Sequence, residues 1–273
     1  MEIDADTERS SLARLRDLYL DLLIGGLTHT IYARVDRIEP PEELIERLAP
    51  GMREAEDKWM IFHPEIARAE GRDWPLYAQT MIGLERMRSL RRCVETALAE
   101  DVPGDLIEAG VWRGGAGILM RGILKAHGVE DRLVWMADSF SGLPPPDPDR
   151  DRGVERQEMA WLAVPVEEVQ ENFQRYGLLD DQVRFAEGLF ADTLPALRDL
   201  RWSVVRIDSD LYGSTMDALV NLYDGLSPGG FLIIDDYALD SCREAVEDFR
   251  RDRGIDESIE RIDWTGVFWR KRG

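Results

Sequence analysis

The stretch "DLIEAGVWRGGAGILMRGILKAHG", Asp105 to Gly128, decides the fold. "DLIEAGV" is a short apolar run of the kind that forms a buried strand. "GAGILMRGILKAHG" has helical periodicity and closes on Gly128, a helix stop. Between them, "EAGVWRGGAG" packs glycines where a chain must turn sharply and where its backbone can approach a ligand at a helix N-terminus. Working outward, the same alternation repeats. "RLVWMADS", "QVRFAEG", "WSVVRIDSD" and "GGFLIIDDY" read as strands. "VEEVQENFQRYG", "TLPALRDL", "TMDALVNLYDGL" and "DSCREAVEDFRRDRG" read as the helices between and after them. Alternating strands and helices specify an α/β fold, a mainly parallel sheet with helices on both faces. "IERIDW" and "GVFWRKR" predict a closing hairpin.

The first hundred residues differ. "SSLARLRDLYLDLLIGGL" predicts a helix behind a serine cap, and "IGLERMRSLRRCVETALAED" a second amphipathic helix. Between them lies an irregular stretch rich in Pro, His and Trp. The expectation is an N-terminal helical cap over residues 1–100, serving as lid or as oligomer contact, and a ligand-binding domain over 101–273.

The chain has 273 residues and a formal net charge of -20. That balance argues against nucleic acid and against an anionic membrane surface as partners, because both attract basic footprints. The polar, acidic N-terminus and the lack of a long apolar run lead to a cytoplasmic expectation. Cys93 and Cys242 are in no metal-ligand spacing and read as reduced packing residues.

A glycine-rich strand-to-helix turn alone fits nicotinamide dinucleotides, flavins and S-adenosylmethionine, or plain strand–helix packing. Two details favour the methyl donor. After Gly110 come Val111, Trp112 and Arg113 before Gly114, so the dinucleotide fingerprint is absent. Glu108 also precedes the first glycine, and a carboxylate there suits a cationic sulfonium amino acid and repels a pyrophosphate. Arg113 could meet a phosphate or serve the surface. Asp138 ends the second strand, beside Ser139, where an acid accepts bonds from ribose hydroxyls. Glu187 and Gly188 end the third strand, where an adenine could lie or a simple turn could form.

The fourth and fifth strands end in acids, Asp208 and Asp210, then Asp235 and Asp236. Parallel neighbours stop at the same edge, so these four converge beside the glycine loop. Clustered carboxylates share protons or a cation. Oxygen ligands without Cys or His point to Mg²⁺, with Ca²⁺ or Mn²⁺ as substitutes. Asp210, two residues from Asp208 on the same side of the strand, is the candidate general base. The competing structural role is N-capping of the following helices by Asp210 and Asp236.

"DWPLYAQTMIGLERMRSL", "LIEAGVWRGGAG", "ADSFSGLPPPD", "VRIDSDLYGST" and "GGFLIIDDY", in this order, resemble the macrocin O-methyltransferase family, whose members methylate sugar hydroxyls in antibiotic biosynthesis. The resemblance runs from about Asp73 to the C-terminus. It implies a Rossmann-like class I methyltransferase fold with a seven-stranded sheet, S-adenosylmethionine as donor, and Mg²⁺ on Asp208, Asp235 and Asp236. Asp210 as base is implied as well, as is Met81 and Ile82 packing on the cofactor from the lid. It further implies a glycoside or nucleotide-sugar acceptor and a homodimer or larger assembly. A branch that uses a histidine as base is not matched, since Leu211 follows Asp210. His29 and His63 in the cap could touch substrate or be structural. The other readings that remain are a catechol-type O-methyltransferase, a nicotinamide-dependent oxidoreductase, and a non-catalytic nucleoside-binding module, which would leave the four acids unexplained.

Overall fold

The computed structural model describes residues 5–32, 37–38, 64–152 and 156–273. Helix α1 (Ala5–Leu27) leads to β1 (Arg37–Ile38), α2 (Pro64–Glu70), β2 (Trp74–Pro75) and α3 (Leu84–Ala99). From there strand and helix alternate: β3 (Asp105–Ala109), α4 (Gly115–Ala126), β4 (Val134–Asp138), α5 (Val166–Arg175), β5 (Val183–Glu187), the short α6 (Phe190–Thr193), β6 (Trp202–Ile207), α7 (Tyr212–Leu222), β7 (Leu226–Ile234) and α8 (Asp240–Arg253). The chain closes with β8 (Glu260–Arg261) and β9 (Val267–Arg270).

β1 and β2 pair with each other; the main sheet has seven strands in the order β5-β4-β3-β6-β7-β9-β8. The first five of these run parallel, and β9 enters antiparallel to β7 as part of the closing hairpin. All six residues of β6 are buried, as a strand covered on both faces requires. On one face Leu20 and Ile24 of α1, Leu90 and Val94 of α3, Ile118 of α4 and Phe173 of α5 form one core. On the other, Leu219 of α7 and Val246 and Phe249 of α8 pack on Val205, Ile207 and Leu232.

Two details differ from the sequence reading. α1 begins at Ala5, so Ser10 and Ser11 lie inside the helix and do not cap it. Burial of Leu20, Leu23, Ile24 and Leu27 on α4 decides that helix, and the local cap preference does not. The irregular stretch also holds a helix, α2, and two short strands, β1 and β2. α3 belongs to the layer against β6 and β7 and shares the sheet's core. Cys93 and Cys242 are free and buried, and burial pushes the Cys93 thiol up to about 12. Among the described residues no helix is long and apolar enough to cross a membrane.

Candidate active site

Parallel register brings the strand ends into line. Ala109 pairs with Ala137 and Ile207, and Ile207 with Ile234. The ladder then runs one residue further. Gly110 N donates to Ala137 O at 2.9 Å, Asp208 N to Ala109 O at 2.8 Å, and Asp235 N to Ile207 O at 2.9 Å. Gly110, Asp138, Asp208 and Asp235 therefore stand side by side at one edge, where open α/β sheets bind ligands.

The glycine loop forms one half of that edge. Gly110 has φ 96°, and a Cβ there would lie 1.6 Å from the Asp208 carbonyl oxygen, so only glycine fits. Gly114, φ 87°, is the N-cap of α4 and turns against Val169 and Phe173. Asp138 accepts the N–H of Val111 at 2.6 Å and of Phe140 at 2.8 Å, so it ties the loop to the end of β4. Ser139 Oγ donates to Gly142 O at 2.6 Å. Gly110, Asp138 and Ser139 line a cavity of about 290 Å³ together with Leu189, Phe190 and Ala191. These last three escaped the sequence reading, which stopped at Glu187 and Gly188. Among the described cavity residues neither of those two appears; Glu187 is exposed, and Gly188 continues the backbone pairing to Asp138 O at 2.9 Å. The apolar "LF" directly after Gly188 was the available signal.

The other half is built from charged side chains. Asp208, Asp235 and Asp236 each offer an oxygen, all within 4.8 Å of one another. Two arginines enter this group. Arg206, 2% exposed, donates from Nη1 to Glu108 Oε1 at 2.6 Å and from Nη2 to Asp208 Oδ2 at 2.8 Å and to Asp235 Oδ1. Arg86 of α3 donates from Nη1 to Asp235 Oδ2 and from Nε to Asp263 Oδ2 at 2.9 Å. The positive charge between the acids thus includes residues of the chain itself. Sequence reasoning missed both, although Arg206 sits in the apolar strand "WSVVRI", where a charged residue needs a buried partner.

The electrostatics follow. Burial raises Asp235, but Arg206 and Arg86 on its two oxygens outweigh that and hold it below the usual carboxylate range. Burial, then Asp208 and Asp210, push Asp236 well above its ordinary value. Burial, then Asp235, raises Asp208 as well, with Arg206 opposing. Burial, then Asp208, Asp235 and Asp138, raise Asp210 to about 7. Glu108 is buried and rises to about 8, with burial opposed by Arg206. Its Oε1 meets Arg206, it lines neither cavity, and its Oε2 has no hydrogen-bond partner. The capping alternative is excluded: α7 and α8 start after Leu211 and Leu239, and neither helix has a side-chain cap. Asp210 instead takes a left-handed φ of 57°, and its carbonyl accepts Ser241 Oγ at 2.7 Å.

A second cavity, of about 760 Å³, opens over the acids. Asp235, Asp236, Ile82, Trp74, Trp161 and Trp264 are among its walls. Met81, Leu143, Leu162, Asp208 and Asp210 line both cavities. Arg68, fully buried, donates to the carbonyls of Met81 and Ile82 and pairs with Asp73 at 3.1 Å, which anchors this segment. Arg113 donates to Pro75 O and Ala78 O and lies over Trp112, a tie between residues 75–78 and the glycine loop. His29 packs against Tyr32 at 4.6 Å between ring centroids; His63 lies outside the described residues.

The donor set suits a hard divalent cation. It is oxygen only, drawn from three carboxylates, and the buried Asp236 Oδ2 has no hydrogen-bond partner.

Sheet order, glycine loop and acidic strand ends define a Rossmann-like, S-adenosylmethionine-dependent O-methyltransferase. The Macrocin-O-methyltransferase (TylF) family model matches residues 16–271, and the chain belongs to that family. It is 52% identical over 262 residues, 93% of each chain, to the 8-demethyl-8-(2,3-dimethoxy-alpha-L-rhamnosyl)-tetracenomycin-C 4'-O-methyltransferase of Streptomyces olivaceus. It is 47% identical to the mycinamicin III 3''-O-methyltransferase of Micromonospora griseorubida, over 93% of this chain and 96% of that one. The solved structure of the O-methyltransferase NovP superposes with a TM-score of 0.79 at 43% identity, covering 94% of this chain and 100% of that one. The nicotinamide reading falls with this membership.

Proposed function

We propose that the chain transfers the methyl group of S-adenosylmethionine to a sugar hydroxyl of a glycosylated natural product. In this reading Asp210 is the base, and Asp208, Asp235 and Asp236 hold Mg²⁺. The observation that carries it is the meeting of two cavities at Asp208 and Asp210. The smaller one takes the donor along the glycine loop, with Asp138 and Ser139 toward its ribose and Met81 over it; Ile82, expected on the donor, lines only the larger one. The larger one takes the acceptor. The name of the tetracenomycin relative, a 4'-O-methyltransferase of a rhamnosyl-bearing compound, supports the sugar assignment.

The divalent ion, when bound, supplies a positive charge that lowers the pKa of a nearby hydroxyl. Asp210 does the rest of the acid–base work. As the methyl carbon leaves sulfur and bonds to the hydroxyl oxygen, the hydroxyl proton passes to the Asp210 carboxylate. Burial, then Asp208, Asp235 and Asp138, raise this carboxylate above its ordinary value, which strengthens it as a proton acceptor. Arg206 and Arg86 hold Asp235 in place, and Met81 closes over the junction of the cavities, which excludes water from the sulfonium. Residues 1–100 act as the lid and as a contact between copies. The exposed Leu12, Leu15, Leu18 and Leu22 of α1 support the second role.

Mass-spectrometric detection of methylated product tests the acceptor class. With S-adenosylmethionine and Mg²⁺, rhamnosylated aromatic or macrolide aglycones should gain 14 Da (one methyl replacing one hydrogen). Methylation of a simple catechol and of none of the glycosides would overturn the sugar reading.

A further inference from the structure

We infer that Arg86 is a positioning residue for the proposed cation site, holding the Asp235 carboxylate in its ligating orientation from the N-terminal side of the fold. The inference rests on the reading of Asp208, Asp235 and Asp236 as cation ligands. It concerns a residue that contributes no ligand atom itself.

Arg86 stands in the first turn of α3, a surface-type helix, yet it is only 7% exposed. A buried guanidinium is costly unless every donor finds a partner. Here all three nitrogens do. Nη1 meets Asp235 Oδ2, Nε meets Asp263 Oδ2 at 2.9 Å, and Nη2 meets the Gly71 carbonyl at 3.2 Å.

The backbone leaves room for it at two places. A Cβ on Gly71 would come within 2.7 Å of Arg86 Nη2, and one on Gly266 within 3.0 Å of its Cδ. The far partner is fixed as well. Asp263 Oδ1 accepts the N–H groups of Thr265 at 3.0 Å and Gly266 at 2.7 Å, and Thr265 Oγ1 donates to Asp235 O at 3.1 Å. The indole of Trp264 lies 5.7 Å from the guanidinium. Arg86, Asp263 and Thr265 thus form a closed brace around Asp235, from α3 to the turn of the C-terminal hairpin.

Asp235 is held from the other side by Arg206, whose Nη2 meets Oδ1. With one cation on each oxygen its carboxylate cannot rotate, yet each oxygen keeps a second lone pair for an ion. A charge and a brace make opposite forecasts for Arg86. As a positive charge near the site it repels a divalent ion, and its removal should tighten binding. As a brace it keeps the ligand aimed, and its removal should weaken binding. Partners that orient metal ligands typically contribute 10–100-fold in affinity, which decides for the brace.

Calorimetric titration of Mg²⁺, and of Mn²⁺ followed by electron paramagnetic resonance, into protein without donor or acceptor tests this. Arg86→Met should weaken the ion by about tenfold or more. Arg86→Lys, which keeps the charge and loses the fork, should weaken it as well. S-adenosylhomocysteine affinity should stay within about twofold in both, because Arg86 lines only the acceptor cavity. In turnover the KM for Mg²⁺ should rise in both variants. Should Arg86→Met fail to fold, Asp263→Asn loosens the brace with the arginine in place and should also weaken the ion. Unchanged or tighter ion binding in folded variants overturns the positioning role alone. A wild-type protein that binds neither ion overturns both this inference and the metal reading beneath it.

Discussion

The two halves of the sheet edge are built in different ways, and the proposed function asks each to hold a ligand. At β3 and β4 the backbone does it. Gly110 exists only in a left-handed conformation against Asp208 O, and Asp138 is fixed by main-chain N–H groups of Val111 and Phe140. At β6 and β7 side chains do it, with Arg206 and Arg86 threading between three buried or half-buried acids, Glu108, Asp208 and Asp235. A backbone-built site is stiff and tolerates side-chain change around it. A charge-built site works only as a whole, since removing one member leaves another charge buried without a partner.

The sharpest way to break the comparison is Asp210→Asn. Loss of a general base costs about 10²–10⁴-fold in kcat. S-adenosylhomocysteine affinity, measured by calorimetry, should stay close to wild type, because the donor half does not depend on that charge. A near-normal kcat would move the base elsewhere.

Next comes Arg206→Met, which leaves Glu108 and Asp235 buried without their shared cation. Breaking such a pair costs about 3–5 kcal/mol, which for a chain of this size lowers Tm by roughly 10 °C in a thermal melt. A change within a degree or two would show that the acids simply take up protons.

Gly110→Ala probes the backbone half. Forcing a side chain into this conformation costs on the order of 1–3 kcal/mol before the clash with Asp208 is counted. Urea unfolding should show the loss; an unchanged midpoint would refute the close approach. Asp138→Ala is the smallest of the four, with S-adenosylhomocysteine bound about tenfold more weakly by calorimetry, roughly the value of a charge-assisted hydrogen bond. Unchanged affinity would remove Asp138 from the donor site.

This division also explains what was legible in the sequence. The alternation of "DLIEAGV", "RLVWMADS", "WSVVRIDSD" and "GGFLIIDDY" with helical stretches gives the parallel sheet, because burial on both faces demands continuous apolar strands. Glycine at a left-handed turn and acids just past strand ends are local signals, and the structure brings Asp208, Asp235 and Asp236 together. Arg86 meets Asp235 across 149 residues and Arg206 meets Glu108 across 98. No local pattern encodes such pairs; tertiary packing does. Glu108 shows the consequence: aimed at the donor by sequence logic, its carboxylate is engaged by Arg206 beneath the site. The resemblance singled out Met81 and Ile82 but not Arg68, which bonds both their carbonyls, since a buried arginine bonded to carbonyls looks like any surface arginine in sequence.

The central claim is that the charge-built half binds a divalent cation that the reaction requires, while its arginines keep the fold intact without it. Turnover and thermal stability should be measured together on chelator-treated enzyme, before and after Mg²⁺ is restored. The account predicts that EDTA abolishes methyl transfer, that Mg²⁺ restores it, and that Tm scarcely moves, because Asp235 is already paired on both oxygens. Full activity in excess EDTA would contradict the cation's role.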